Sequence, residues 1–203
     1  MRLLDLFCGE GGAAMGYHLA GFTEIVGVDI RPMPKYPFKF IQADALDYLA
    51  NHGAEFDAIH ASPPCQAYSI MRNLSWHRDK EYPLLIEPTR ELLLAARKPY
   101  VMENVMGAHL QAGYLCGMMF GLGFYNHRAF ESSFFWMQPG HPKHDIVFTS
   151  GNHFGSNGGR RNLVSRRFGC EWMSREGRSN AIPPAYTEFI GRHLLRAALE
   201  ANP

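Results

Sequence analysis

Leu3-Leu4-Asp5-Leu6-Phe7-Cys8-Gly9-Glu10-Gly11-Gly12 begins as a short apolar run and breaks at once into a glycine-rich turn. Ala13 to Ala20 then reads as a helix, with Gly21 placed to stop it. Strand, glycine turn and helix in that order open an α/β unit. Gly9, Gly11 and Gly12 let backbone N–H groups come close to a ligand at the N-terminus of the following helix. The spacing is not G-x-G-x-x-G and no Lys-Ser/Thr pair follows, so neither a dinucleotide fingerprint nor a P-loop fits.

Working outward, Glu24 to Ile30 reads as a second strand, and the three prolines of Arg31–Phe38 mark a loop. Lys39 to Gln42 is a short third strand and Ala45–Asn51 a helical turn or two. Phe56–Ala61 reads as a fourth strand running into Ser62-Pro63-Pro64-Cys65-Gln66. Residues 67–82 have no clean period, and a loop that long in a compact domain is usually functional. Pro88 at a first helical position opens Thr89–Arg97, and Tyr100–Met102 leads as a strand into Glu103-Asn104-Val105. Such alternation predicts an α/β fold, a mostly parallel sheet with right-handed crossovers and helices on both faces. Past about residue 125 the alternation weakens; Pro139–His144 and Gly151–Gly159 look irregular, and Ala185–Glu200 closes the chain as an amphipathic helix.

Composition agrees. At 203 residues with 46% hydrophobic and 19% charged, the chain has the apolar material for one sizeable domain and is neither disordered nor fibrous. The net charge of +1 announces no global positive field. Its distribution is uneven: residues 1–59 carry four Lys/Arg against eight Asp/Glu, whereas residues 151–203 carry eight Arg against four Glu. That polarity is compatible with a polyanion touching one end of the chain only. Cys8, Cys65, Cys116 and Cys170 form no C-x-x-C pair, which argues against a disulfide scaffold and fits a reducing compartment. Asp5 interrupts the first apolar run before a signal-peptide core forms, and no stretch approaches the about 18 apolar residues of a membrane helix.

Asp29 at the end of the second strand stands where doubly wound folds hold a ribose hydroxyl pair, and Asp44 follows the third strand. With the glycine turn they suggest an adenosine-bearing cofactor without a pyrophosphate. Cys65 follows two prolines that fix its direction, at the carboxyl end of a strand, where a thiol suits nucleophilic catalysis. Glu103 ends a strand on the same edge, and a carboxyl group kept protonated there suits a ring nitrogen of the substrate. His141, His144 and His153 are loosely grouped without cysteine partners, so no metal site is expected. Cys8, Cys116 and Cys170 read as packed side chains, and Trp136 and Trp172 as packing anchors.

Asp5-Leu6-Phe7-Cys8-Gly9-Glu10-Gly11-Gly12, Pro63-Pro64-Cys65-Gln66 and Glu103-Asn104-Val105 resemble, in order and spacing, the first, fourth and sixth motifs of the cytosine-C5 DNA methyltransferases. His127-Arg128-Ala129-Phe130 resembles the eighth motif, and Ser179-Asn180-Ala181-Ile182-Pro183-Pro184 the last. The resemblance implies a Rossmann-like methyltransferase that binds S-adenosylmethionine, releases S-adenosylhomocysteine and methylates cytosine at C5. It implies cofactor contacts at Asp5, Phe7, Gly9, Gly11, Gly12, Asp29, Ile30, Asp44, Pro63 and Asn180. Cys65 would attack C6, Glu103 would bond N3 and the exocyclic amine, and Arg128 would contact O2. Gln66, Ser69, Asn104, Arg160, Arg161, Arg166 and Arg167 would meet the DNA, a duplex with the target cytosine flipped out.

The chain also departs from the pattern. Asn126 stands where the motif's first Arg is expected, and only 51 residues separate Arg128 from Asn180. Residues 131–178 are therefore expected to be a reduced target-recognition region within a single methyltransferase domain spanning 1–203, as in short phage-borne methylases. Such brevity leaves open a tRNA or free cytidine nucleotide substrate, a partner chain that reads the target, and a catalytically inactive DNA-binding homologue. The expected setting is the cytoplasm of a bacterial or phage-infected cell.

Overall fold

A computed structural model describes residues 1–68, 81–111, 113–144 and 168–201. Strand β1 (Arg2–Leu6) lies inside the sheet, third of seven strands, because Leu3 on one face and Leu4 and Leu6 on the other are buried. Leu3 packs into one core with Tyr17 and Phe22, while Leu4 and Leu6 pack into the other with Val26, Val28 and Ile59. Around it run β2 (Glu24–Asp29), β3 (Lys39–Gln42), β4 (Ala58–Ala61) and β5 (Tyr100–Val105), each parallel to its neighbour. Two further strands, β6 (Gly113–Leu115) and β7 (Arg128–Ser132), join antiparallel, giving the order β3-β2-β1-β4-β5-β7-β6.

Helices cover both faces. Helix α1 (Gly12–Ala20) packs against the long C-terminal helix, and the core there includes Tyr17, Ile190, Leu194 and Ala198. Helices α2 (Ala45–His52) and α3 (Ile86–Ala96) cover the other face through Leu49, Ile86 and Leu93. A short helix α4 (Arg175–Asn180) precedes α5 (Pro184–Ala201), whose first residue is proline, a position with no intrahelical N–H partner to lose. Among the described residues no helix is long and apolar enough to cross a membrane.

Most sequence expectations for the first half stand, with informative shifts. Helix α3 starts at Ile86, two residues before Pro88, because proline is tolerated anywhere in a first turn whose N–H groups have no partners. Strand β5 runs on to Val105, so Glu103 lies inside the strand, paired across from Phe130, and does not follow its end. The β6–β7 ribbon was not foreseen. Its last strand, Arg-Ala-Phe-Glu-Ser, is buried at its centre yet carries charge at Arg128 and Glu131, which breaks any clean alternation. Arg90 on α3 reaches Glu131 with two bonds of 2.8 Å, satisfying a carboxylate that the ribbon buries.

Candidate active site

The parallel strands end together, and their register assembles the site. Leu6 pairs with Val28 and with Ala61, and Ala61 with Met102, so Phe7, Asp29 and Ser62 at the strand ends stand level with Glu103, which lies inside the longer β5. This carboxyl edge is where open α/β sheets take ligands.

At one end of the edge, Gly9 N–H donates to Asp29 Oδ2 (3.1 Å) and Arg31 N–H to Oδ1 (3.0 Å), which ties the glycine turn to the tip of β2. Phe7 takes a left-handed backbone (φ 57°), unusual for a bulky side chain and a sign that the turn is tightly determined. A Cβ on Gly9 would meet nothing within 4 Å, so space lies over it, whereas a Cβ on Gly12 would lie 2.6 Å from the Ile182 carbonyl oxygen. Gly9 therefore faces room for a ligand, and Gly12 is needed so that the C-terminal segment can approach. That segment is clasped from outside. The Trp172 indole N–H donates to the Glu10 carbonyl (2.9 Å), and Ser174, the N-cap of α4, donates its hydroxyl to the Glu10 carboxylate (2.6 Å). Ile30 is 66% exposed beside Asp29, an apolar side chain open to a flat ring. Asp44 caps α2 by accepting from Leu46 and Asp47 N–H groups, so one of its oxygens already has a structural task. Asp5 sits deeper, wholly buried within β1. Tyr36 O–H donates to its Oδ2 (3.0 Å), Oδ1 has no partner, and burial pushes the carboxyl up to about 8.

At the other end, Asn104 Nδ2 donates to the Pro63 carbonyl (2.8 Å), binding the end of β5 to the Pro63-Pro64-Cys65 turn. Cys65 is half-buried and Gln66 exposed. Antiparallel pairing sets Val105 opposite Arg128, and the Arg128 Nη1 lies 3.7 Å from Glu103 Oε1. Both side chains are buried, yet Glu103 Oε1 and Arg128 Nε have no hydrogen-bond partner. Buried polar atoms without partners are costly, and two converging ones describe the complement of a missing polar ligand. Burial pushes the Glu103 carboxyl above the ordinary range, against the pull of the Arg128 charge and a hydrogen bond from Ser62. The carboxyl is thereby biased toward its protonated, donating form.

Behind Glu103 runs a relay that sequence reading missed. Tyr17 hydroxyl meets His60 Nδ1 (2.8 Å), His60 Nε2 meets Ser62 Oγ (2.9 Å), and Ser62 meets Glu103. Burial lowers His60 to about 3, so its ring is neutral. Consistent directions then run from Tyr17 O–H to Nδ1, from Nε2–H to Ser62, and from Ser62 O–H to the carboxyl. His60 inside an apolar strand was the available signal, since a buried histidine demands partners.

Of the expected residues, the fold gathers Phe7, Gly9, Gly11, Gly12, Asp29, Ile30, Pro63, Cys65, Gln66, Glu103, Asn104 and Arg128 along or beside this edge. Asn180 ends α4, two residues before Ile182 closes over Gly12. Ser69, Arg160, Arg161, Arg166, Arg167 and His153 lie outside the described residues. Trp136 and Trp172 are anchors as expected, Trp136 packing edge-on to Phe189. Cys116, read as merely packed, instead lies with His127, His141 and His144, their ligating atoms all within 4.8 Å of one another.

The chain is similar in sequence to known proteins. Type II methyltransferase M.AquIA of Picosynechococcus sp. is 32% identical over 123 residues, covering 52% of this chain and 49% of that protein. M.FnuDI of Fusobacterium nucleatum is 32% identical over 113 residues, 53% of this chain and 33% of its own length. The chain thus spans about half, or less, of these curated relatives. Among solved structures, the S. pombe Dnmt2 methyltransferase is similar at 17% identity and a TM-score of 0.47, over 68% of this chain and 51% of that one. The family model for C-5 cytosine-specific DNA methylases matches residues 1–112, more than half of the sequence, and the chain belongs to that family.

Proposed function

We propose that this protein transfers a methyl group from S-adenosylmethionine to C5 of cytosine in duplex DNA. The observation that carries this reading is the buried Glu103–Arg128 pair, each with an unpartnered polar atom, on the strand edge that holds the Cys65 turn. A cytosine edge offers what the pair lacks, since N3 accepts from a protonated Glu103 and O2 accepts from Arg128.

The residues at the other end of the edge fit the cofactor: open space over Gly9, the exposed face of Ile30, and Asp29 at the strand tip. Phe7, Gly11, Asp44, Pro63 and Asn180 complete that wall, and Asp5 supports it from beneath. S-adenosylmethionine, when bound there, supplies an electrophilic methyl group and departs as S-adenosylhomocysteine. Cys65 as thiolate adds to C6, forming an S–C6 bond and pushing the C5–C6 electron pair toward C5. Glu103 donates its proton at N3, and Arg128 stabilises the charge that develops at O2. Once C5 is methylated, loss of its proton restores the double bond, expels the Cys65 sulfur and frees the thiolate. The Tyr17–His60–Ser62 relay holds the Glu103 carboxyl in place and keeps water from replacing the substrate as its partner.

Because C6 is covered by stacking in a duplex, the target base must flip out. Gln66 and Ser69 would meet it, whereas Asn104, expected there too, is buried and committed to the Pro63 carbonyl, and Arg160, Arg161, Arg166 and Arg167 would grip the phosphates. Labelled-methyl transfer tests the reading, with duplex DNA, single-stranded DNA, tRNA and cytidine nucleotides as substrates and Cys65→Ala as control. Label in duplex DNA that disappears in Cys65→Ala is expected. Label in tRNA or nucleotides alone would overturn the substrate, and equal turnover by Cys65→Ala would overturn the covalent step.

A further inference from the structure

Outside the catalytic edge, one cluster of side chains has no explanation in methyl transfer. Cys116 follows β6 directly, His127 immediately precedes β7, and His141 and His144 lie in the irregular segment that leaves β7. Their side chains converge. His141 Nε2 lies 3.2 Å from His127 Nε2 and 3.2 Å from His144 Nε2, and the His144 Nε2 is 3.7 Å from Cys116 Sγ. Among the described residues this is the single group of three or more His, Cys, Asp or Glu side chains able to share an ion.

Hydrogen bonding alone does not account for the arrangement. A ring nitrogen of neutral imidazole carries either one N–H or one in-plane lone pair, so His141 Nε2 can complete one bond of this kind and not two. The two contacts must then share that one proton or lone pair, which weakens both. A cation at the centre resolves this by accepting a lone pair from every ring. Tetrahedral zinc with bonds of about 2.0–2.1 Å to nitrogen and 2.3 Å to sulfur separates its ligand atoms by about 3.3 to 3.6 Å, close to the three separations of 3.2, 3.2 and 3.7 Å, and all four ligand atoms lie within 4.8 Å of one another.

We propose that Cys116, His127, His141 and His144 bind one zinc ion as a closed, structural CysHis3 site. The ligand set has one soft thiolate and three imidazoles, which selects zinc over calcium or magnesium, and four protein ligands leave no open position for catalysis. On binding, the Cys116 thiol releases its proton to solvent and the imidazoles remain neutral, leaving one net positive charge. The ion joins both ends of the 116–127 connection to the outgoing 133–144 segment. It thereby fixes the start of β7, where Arg128 stands next to His127.

The test uses the full-length protein expressed in zinc-supplemented medium, and its readouts do not depend on methyl transfer. Elemental analysis is expected to find about one zinc per chain. Replacement with cobalt should give intense visible bands of tetrahedral coordination and a thiolate-to-cobalt charge-transfer band in the near ultraviolet. Cys116→Ser should lose that charge-transfer band. His144→Ala, at an exposed position that does not disturb the core, should lower zinc content at least fivefold with unchanged circular dichroism. Wild-type protein without stoichiometric zinc and without cobalt bands would overturn the proposal. So would full zinc retention in His144→Ala.

Discussion

Replacing Asp5 with Asn should change how the stability of this fold depends on pH. Asp5 is wholly buried, and its carboxyl is pushed from 3.8 up to about 8, first by burial and then by the nearby Asp29 charge, against the Tyr36 hydrogen bond. A folded-state value above the unfolded one means that the stabilisation is complete below pH 3.8 and is lost as pH rises to about 8. Each pH unit in that window removes about 1.4 kcal/mol. His60 works in the opposite sense. Its value falls from 6.5 to about 3 on burial, so its contribution is complete above pH 6.5 and is lost as pH falls toward 3. Between pH 4 and 6.5 the slopes of these two groups oppose each other. Above 6.5 the His60 slope is spent, and Asp5 by itself contributes a loss of about 2 kcal/mol by pH 8. Asp5→Asn removes the Asp5 slope and leaves those of the other groups, raised Glu103 included. The gap between variant and wild type should widen across the whole window by a total on the order of 5 kcal/mol. Urea unfolding of both proteins at half-unit intervals from pH 4 to 8.5 measures that gap directly. Parallel curves would refute the reasoning, because they would mean that Asp5 has the same proton affinity folded and unfolded.

Four other substitutions probe separate parts of the molecule. Glu131→Ala leaves Arg90 without its two 2.8 Å bonds and the Gln111 N–H without its acceptor, and should cost about 3 kcal/mol in urea unfolding, the low end for a buried pair because Arg90 keeps Glu87. Gly12→Ala drives a Cβ against the Ile182 carbonyl and should cost about 1–3 kcal/mol of stability, whereas Gly9→Ala meets no atom but must hold a left-handed φ of 50°, and should cost about 1–2 kcal/mol and also weaken S-adenosylmethionine binding measured by calorimetry. Glu103→Gln keeps the side chain's shape but removes its transferable proton, and should lower kcat for methyl transfer by more than ~100-fold at every pH tested.

The first half of the fold was legible because each parallel strand is a short apolar run punctuated by Gly, Pro or Asp, and each helix has a stop or cap. Gly21, read as a stop, is the C-cap of α1, whereas Asp44, read only as an acid facing a cofactor, also serves as the N-cap of α2. Cys65 and Glu103 were legible for a related reason, since chemistry in such folds gathers where the strands end. What sequence could not give was pairing between distant segments. Arg90 with Glu131, Glu10 with Ser174 and Cys116 with three histidines lie from 11 to 164 residues apart, and no local period links them. The relay behind Glu103 was hidden differently. Tyr17 reads as an ordinary core aromatic and His60 as one polar residue in a strand, until the fold turns their ring atoms toward each other.

The clasp of Trp172 and Ser174 on Glu10 has a consequence for the order in which this protein becomes competent. Glu10 and Ser174 are 164 residues apart, and Ile182 closes over Gly12 from a similar distance. On a ribosome, β1 and the glycine turn emerge long before the segment that encloses them has been synthesised. The nascent first half therefore exposes a half-built pocket. A truncated or stalled chain would lack the wall that α4 and the Ile182 segment set against the glycine turn.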